Sequence, residues 1–184
     1  MVLPQPKYRK ILLSEDITKD SVRDIIKEIM EINEDDDYKE ILYKDWTREP
    51  IQLFINSFGG SVYDGLALVD IIKASRTPVH TISIGSCMSM GFWIYLAGHK
   101  RYVGKYTTLM FHDITGWVHD KTSAVKQELD ELLRLQKLCC DEITSTSTIT
   151  QEELNRYIER KAEWYISAEE AIKLKLANGH YKGY

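Results

Sequence analysis

Val79-His80-Thr81-Ile82-Ser83-Ile84-Gly85-Ser86-Cys87-Met88-Ser89-Met90-Gly91-Phe92-Trp93-Ile94-Tyr95-Leu96 is the stretch on which the fold turns. Residues 78–84 read as a β-strand, and residues 92–98 as an apolar helical run, with 85–91 as the junction. A serine at a strand-to-helix junction sits where the first N–H groups of the helix point outward without partners. Such donors favour negative charge nearby, including the oxyanion of an acyl-transfer transition state. Ser89 is therefore a candidate nucleophile, and the Met90 N–H a candidate oxyanion donor. The plainer reading of the same serine is a helix cap or a small packing residue. The stretch is not a G-x-S-x-G elbow, because position 87 is Cys rather than Gly.

Outward from the junction, strands and helices alternate. Lys10–Leu13 reads as a short first strand, and Thr18 or Asp20 can cap a helix with Val22, Ile25, Ile26 and Ile29 on one face. Glu34-Asp35-Asp36-Asp37, running on to Pro50, reads as a solvated surface loop; it lacks the alternation and glycine of an EF-hand. Ile51–Ile55 is the second strand and leads into Asn56-Ser57-Phe58-Gly59-Gly60-Ser61, a turn that paired glycines permit. A helix follows with Val62, Leu66, Val69 and Ile72 on one face. Arg101–Val103 and Thr108–His112 are further strands. This β-α-β-α-β-α-β order predicts an α/β fold around a mostly parallel sheet.

Residues 120–147 form a long helical stretch in which Val125, Leu129, Leu132, Gln136, Cys139 and Ile143 step by four and three, widened by Leu133, Leu135 and Leu138. That is more apolar surface than one sheet face needs. Projection toward a partner subunit and packing within the domain both remain open. Thr150 with Glu153, and Ser167 with Glu170, spell capping boxes for helices running to Arg160 and to near Asn178-Gly179. Short strands at 164–166 and 180–181 finish the chain.

Composition narrows the function. The 184 residues are 43% apolar and undivided by any Pro- or Gly-rich linker, so residues 1–184 read as a single globular domain. A net charge of −4 without a basic run gives no reason to expect nucleic acid. No signal-peptide core and no membrane-length apolar segment are present, and the adjacent Cys139-Cys140 pair fits a reducing cytoplasm. With no Cys-x-x-Cys and no His-x-x-x-His, no metal site is expected. A nucleophilic Ser89 needs a base, and five histidines are available. His99, His119 and His180 lie in turn or terminal contexts, and His80 starts the strand before Ser89. His112 closes a predicted strand, where parallel sheets gather functional groups; a histidine bonded to backbone there is the plainer reading.

Four segments carry a family resemblance. Ile55–Gly65 resembles the glycine-rich turn of the Clp (caseinolytic) protease proteolytic-subunit family. Ser86-Cys87-Met88-Ser89-Met90-Gly91 is similar to its nucleophile motif, and Leu109-Met110-Phe111-His112 to its histidine motif. Ile166–Ala171 resembles the segment just after its third triad residue. The four occur in the family's order and extend the likeness from about residue 10 to the end of the chain. The resemblance implies a Clp protease/crotonase-like fold with a projecting "handle" helix at about 120–147. It also implies a serine endopeptidase with Ser89 as nucleophile and His112 as general base. Gly60 N–H and Met90 N–H would hold the oxyanion, with Gly59 and Ser61 in the same substrate-binding turn. No cofactor is implied.

The position of the family's third triad member, usually Asp, is Glu163 here. Its rival reading is a surface carboxylate, with His112 oriented by a backbone carbonyl or by Asp113; the latter neighbours His112 on the strand and so points the other way. The resemblance further implies polypeptide substrates, lying along the 59–62 and 113–117 edges by strand addition. It implies a homo-oligomer of stacked heptameric rings and an ATP-dependent unfoldase as partner. The family carries a longer segment before its first strand than the eight residues preceding Arg9 here, which argues against a conventional unfoldase partnership and suits a short phage-type member. Three other functions compete: an inactive ring subunit, a phage maturation protease acting on capsid or scaffold proteins, and a crotonase-type acyl-CoA enzyme.

Overall fold

The computed structural model describes residues 8–115 and 122–183, with the side chains of 122–124 left aside. The 1–7 segment, Gly116, Trp117, His119 and the first residues of the 120–147 stretch lie outside the described residues. β1 (Lys10–Leu13) pairs in parallel with β2 (Ile51–Ser57), and β2 with β3 (Val79–Met88). β3 pairs with β4 (Lys100–Val103), which carries β7 (Gly179–His180) at its far edge. Every second residue of β2 is buried: Ile51, Leu53, Ile55 and Ser57. That face meets α1 (Lys19–Leu42), α2 (Val62–Ala74) and α3 (Met90–Leu96). Val22, Ile25 and Ile29 of α1, Leu68, Val69 and Ile72 of α2, and the whole of α3 form the core over the sheet. The expected α/β architecture with a mostly parallel sheet is what the chain adopts.

The sheet departs from a simple row at β3. Its first half lies between β2 and β4, with Ser83 opposite both Ile55 and Val103. At Gly85 the strand bends and takes a new neighbour, β5 (Thr108–Phe111), pairing Ser86 with Thr108 and Met88 with Met110. Gly85 has φ +61°, and a Cβ there would lie 2.6 Å from Asn56 Oδ1. The same Oδ1 accepts from Ser86 N–H and Ser86 Oγ, each at 3.1 Å, fixing the bend to the end of β2. The strand therefore runs four residues past the expected Ile84. β6 (Trp164–Ser167) closes this branch antiparallel to β5.

Thr18, not Asp20, caps α1: Thr18 Oγ1 accepts from Ser21 N–H, and Ser21 Oγ from Thr18 N–H. The expected surface loop from Glu34 is wrong over its first part, because α1 continues through the acidic run to Leu42. Asp36 is fully buried. It accepts from Arg9 Nη1 at 2.8 Å, Thr77 Oγ1 at 2.6 Å and Trp46 Nε1 at 3.3 Å. Arg48 meets Asp37 and Glu40, Arg76 also meets Asp37, and Lys39 meets Asp35 at 2.7 Å. Cations from distant parts of the chain thus make helix out of residues that repel one another in isolation.

α4 (Thr122–Thr146) divides its apolar stripe. Leu135, Cys139, Cys140 and Ile143 are buried, while Val125, Leu129, Leu133 and Leu138 are exposed. α5 (Gln151–Glu159) has the Thr150–Glu153 capping box. α6 (Ala168–Lys173) ends five residues short of the expected Asn178, because Arg101 recruits the chain beyond it. Arg101 Nε donates to Leu176 O at 2.8 Å, and Arg101 N–H to Asn178 Oδ1 at 2.7 Å.

Burial pushes the Asp36 carboxyl up, but hydrogen bonds from Arg9 and Thr77 and the Arg9 charge outweigh it, so its pKa lies below the ordinary value. Its contribution is therefore complete above about pH 4 and is lost as pH falls through the depressed folded value. Asp36→Asn is expected to lower the melting temperature at pH 7 by about 6–12 °C, the equivalent of about 3 kcal/mol for breaking a buried pair. A pH series of thermal melts on parent and variant should show the gap narrowing below about pH 4.

Candidate active site

Ser89 is the single residue between β3 and α3, and its backbone is left-handed, with φ 51° and ψ −124°. For a serine this conformation costs about 1–3 kcal/mol and persists only where the surroundings impose it. Two hydrogen bonds and the burial of the following helix impose it. Ser89 N–H donates to Met110 O at 3.0 Å, Ser89 O accepts the first helical bond from Trp93 N–H at 3.2 Å, and α3 is buried throughout. The side chain makes no capping bond to α3, which removes the reading of Ser89 as an ordinary helix cap. Its hydroxyl instead lies 2.8 Å from His112 Nε2.

His112 is the first residue after β5, two past the Met110 carbonyl that holds Ser89. One strand thus sets both halves of the pair. The other described histidines are engaged elsewhere. His80 sits edge-on to Tyr102 and has its pKa lowered by burial and by Lys100 and His99. His99 Nδ1 accepts from Val79 N–H, and His180 Nε2 meets Glu169. Cys87, two residues before Ser89, is no rival nucleophile: burial pushes its thiol up to about 12.

The glycine turn closes over the serine. A Cβ on Gly59, at φ +112°, would lie 2.7 Å from Ser89 Cβ and 3.1 Å from Ser89 Oγ. Ile17 N–H donates to Gly59 O and Ser61 N–H to Ile17 O, both at 2.8 Å. Gly60 lies between those bonds and faces its own N–H away from Ile17. It lines the cleft beside Ser89, as does Met90, whose N–H opens α3. The other two expected turn residues are used structurally. Gly59 N–H donates to Ser57 Oγ, and Ser61 caps α2 by accepting from Asp64 N–H. Asn56 and Ser57 brace the bend and the turn, and their only sign in the sequence is position, polar residues where β2 meets the glycines.

Glu163 is exposed, and its carboxylate accepts from the Tyr165 hydroxyl. Among the described residues no hydrogen bond joins it to His112. The β5–β6 register ends by pairing Phe111 with Trp164, and His112 and Glu163 are the next residues beyond that pair on the two segments. Phe92, Trp93, Phe111, Ile114 and Cys139 make the rest of the cleft largely apolar. A hydroxyl on an imidazole nitrogen, with two backbone donors in the same cleft, is the equipment of acyl transfer through a serine.

Comparison with known proteins agrees with that chemistry. Residues 5–179 match the family model described as Clp protease. The chain is 28% identical over 172 residues to the ATP-dependent Clp protease proteolytic subunit 1 of Prochlorococcus marinus subsp. pastoris, covering 92% of this chain and 82% of that protein. It is 29% identical to the ATP-dependent Clp protease proteolytic subunit of Borreliella afzelii, over 92% of this chain and 81% of that one. A 34% identical stretch of 130 residues, 70% of this chain and 63% of the relative, links it to the Deinococcus radiodurans subunit.

Gly59→Ala would press a methyl group against Ser89. The expected result is a folded protein in which a serine-directed fluorophosphonate reacts at least about 100-fold more slowly than with the parent, as for a misplaced reacting group. Intact-mass time courses measure this directly.

Proposed function

The chain belongs to the Clp protease family, and from that premise we propose that it is a serine endopeptidase acting on unfolded polypeptides. The 2.8 Å contact between Ser89 Oγ and His112 Nε2 carries this reading. Ser89 attacks the scissile carbonyl, and His112 takes its proton and returns it to the leaving amine. Gly60 N–H and Met90 N–H hold the oxyanion. Water then repeats the cycle on the acyl-enzyme with His112 as base. Gly59–Val62 and the segment after His112 form two edges that an extended substrate can join.

Glu163 is proposed as the third member, orienting His112 once its carboxylate leaves Tyr165. Its place next to Trp164, as His112 is next to Phe111, just past the last pair of the β5–β6 ladder, supports this. The crotonase-type alternative needs carboxylates placed for proton transfer, whereas the cleft here holds a serine bonded to a histidine.

Assembly is proposed through α4, whose exposed Val125, Leu129 and Leu133 share one face at i, i+4, i+8 spacing. A ring oligomer with enclosed sites fits the relatives' role as proteolytic subunits, and their names, which call the protease ATP-dependent, fit an ATP-driven partner. No helix among the described residues is long and apolar enough to cross a membrane. Cys87, Cys139 and Cys140 are free and buried, in keeping with the cytoplasm as the proposed location.

Intact mass after fluorophosphonate treatment tests the reaction. The parent gains one adduct, while Ser89→Ala and His112→Ala gain none. Glu163→Gln slows labelling about tenfold or more, whereas Tyr165→Phe does not slow it. A parent that is folded and assembled yet unlabelled would make this an inactive ring subunit. Separately, Leu129→Lys is expected to shift sedimentation to smaller species while leaving the helical circular dichroism unchanged.

A further inference from the structure

One polar side chain interrupts the buried part of the α4 stripe. Half-buried Gln136 shares the stripe with Leu132, Leu135, Cys139 and Cys140, where hydrogen bonds offset the cost of removing its amide from water. Its Oε1 accepts from Ile114 N–H at 2.6 Å, and its Nε2 donates weakly to Cys140 Sγ at 3.5 Å, one turn further along α4. Ile114 is two residues beyond His112. Residues 112–115 form neither helix nor strand, and all four line the cleft. The β5–β6 pairing ends at Phe111 and Trp164, so beyond that point the ladder no longer dictates where the chain goes. Gln136 supplies a tie from the opposite side, and Cys139 of the same helix forms part of the cleft wall.

We propose that Gln136 is a positioning residue, whose side-chain carbonyl fixes the Ile114 backbone to α4 and so holds the His112 imidazole on the Ser89 hydroxyl. Its catalytic consequence rests on the peptidase reading above; the clamp itself rests on the hydrogen bond. Three features of the residue suit the task. Asn, one methylene shorter, falls short of a 2.6 Å bond from the same backbone. Met fills the same volume in an apolar stripe and removes the acceptor. Glu keeps an acceptor oxygen at the same reach.

The test uses the assembled protein and two readouts on parent, Gln136→Met and Gln136→Glu. Hydrogen–deuterium exchange of the peptide covering 111–115 reports the clamp without requiring activity, and fluorophosphonate labelling reports the Ser89–His112 pair. Exchange in Gln136→Met is expected to be severalfold faster at 112–115 and unchanged in β1–β3, with labelling slowed about tenfold. Gln136→Glu is expected to restore both, a rescue that general loss of packing would not produce. Unchanged exchange at 112–115 in a folded Gln136→Met protein overturns the proposal, as does slowed labelling that Gln136→Glu fails to restore. A parent that never labels, with exchange still rising in Gln136→Met, supports the clamp and overturns the peptidase reading instead.

Discussion

The site depends on one change of neighbours in the sheet. At Gly85, β3 leaves β4 and joins β5, and the Ser89 N–H ends that new ladder on Met110 O. A strand that continued beside β4 would carry Ser89 away from His112. Because Ser89 bonds to β5 and His112 leaves the end of the same strand, the distance between them is set by three residues of backbone. The left-handed serine is the local cost of this arrangement, and burial of the whole of α3 offsets it. Gly59 completes the enclosure, since any side chain there would occupy the space of the nucleophile.

Around that centre the protein uses charge in a way that local pattern does not disclose. Glu34-Asp35-Asp36-Asp37 reads as solvated loop because four consecutive acidic side chains repel one another, with Lys39 as the nearest cation in sequence. Besides Lys39 on the same helix, the cations come from Arg9, Arg48 and Arg76, the last two 11 and 39 residues from Asp37, and they convert the run into the last turns of α1. Asp36 then joins β1's approach, α1 and the turn before β3, which anchors the row of strands from which the bend at Gly85 departs. In α6 the same effect has the opposite sign. Arg101 draws the chain out of helix by offering donors to carbonyls beyond Lys173.

The long helix shows why periodicity alone leaves a question open. A stripe at three and four spacing announces an amphipathic helix but not what each part of it faces. Leu135, Cys139, Cys140 and Ile143 pack into the core, whereas Val125, Leu129, Leu133 and Leu138 are exposed, so the stripe is only partly covered by the chain itself. Gln136 sits at the boundary, and its polarity within the stripe makes sense only beside the Ile114 backbone.

What the sequence determined by itself was local: the alternation of strands and helices, the Thr150 cap, the glycine turn and the serine at a strand-to-helix junction. These follow from neighbours within a few residues, through side-chain period, capping and backbone permission. Motif order added His112 to Ser89, because the family likeness carries spatial information that periodicity lacks. Only the tertiary structure decided the rest: which strand receives β3 after its bend, which cations neutralise the acidic run, and which residues of α4 are covered. It also decided that Glu163 rests on Tyr165. Each of these turns on partners many residues away along the chain, and on side chains whose charge or hydroxyl has more than one partner within reach.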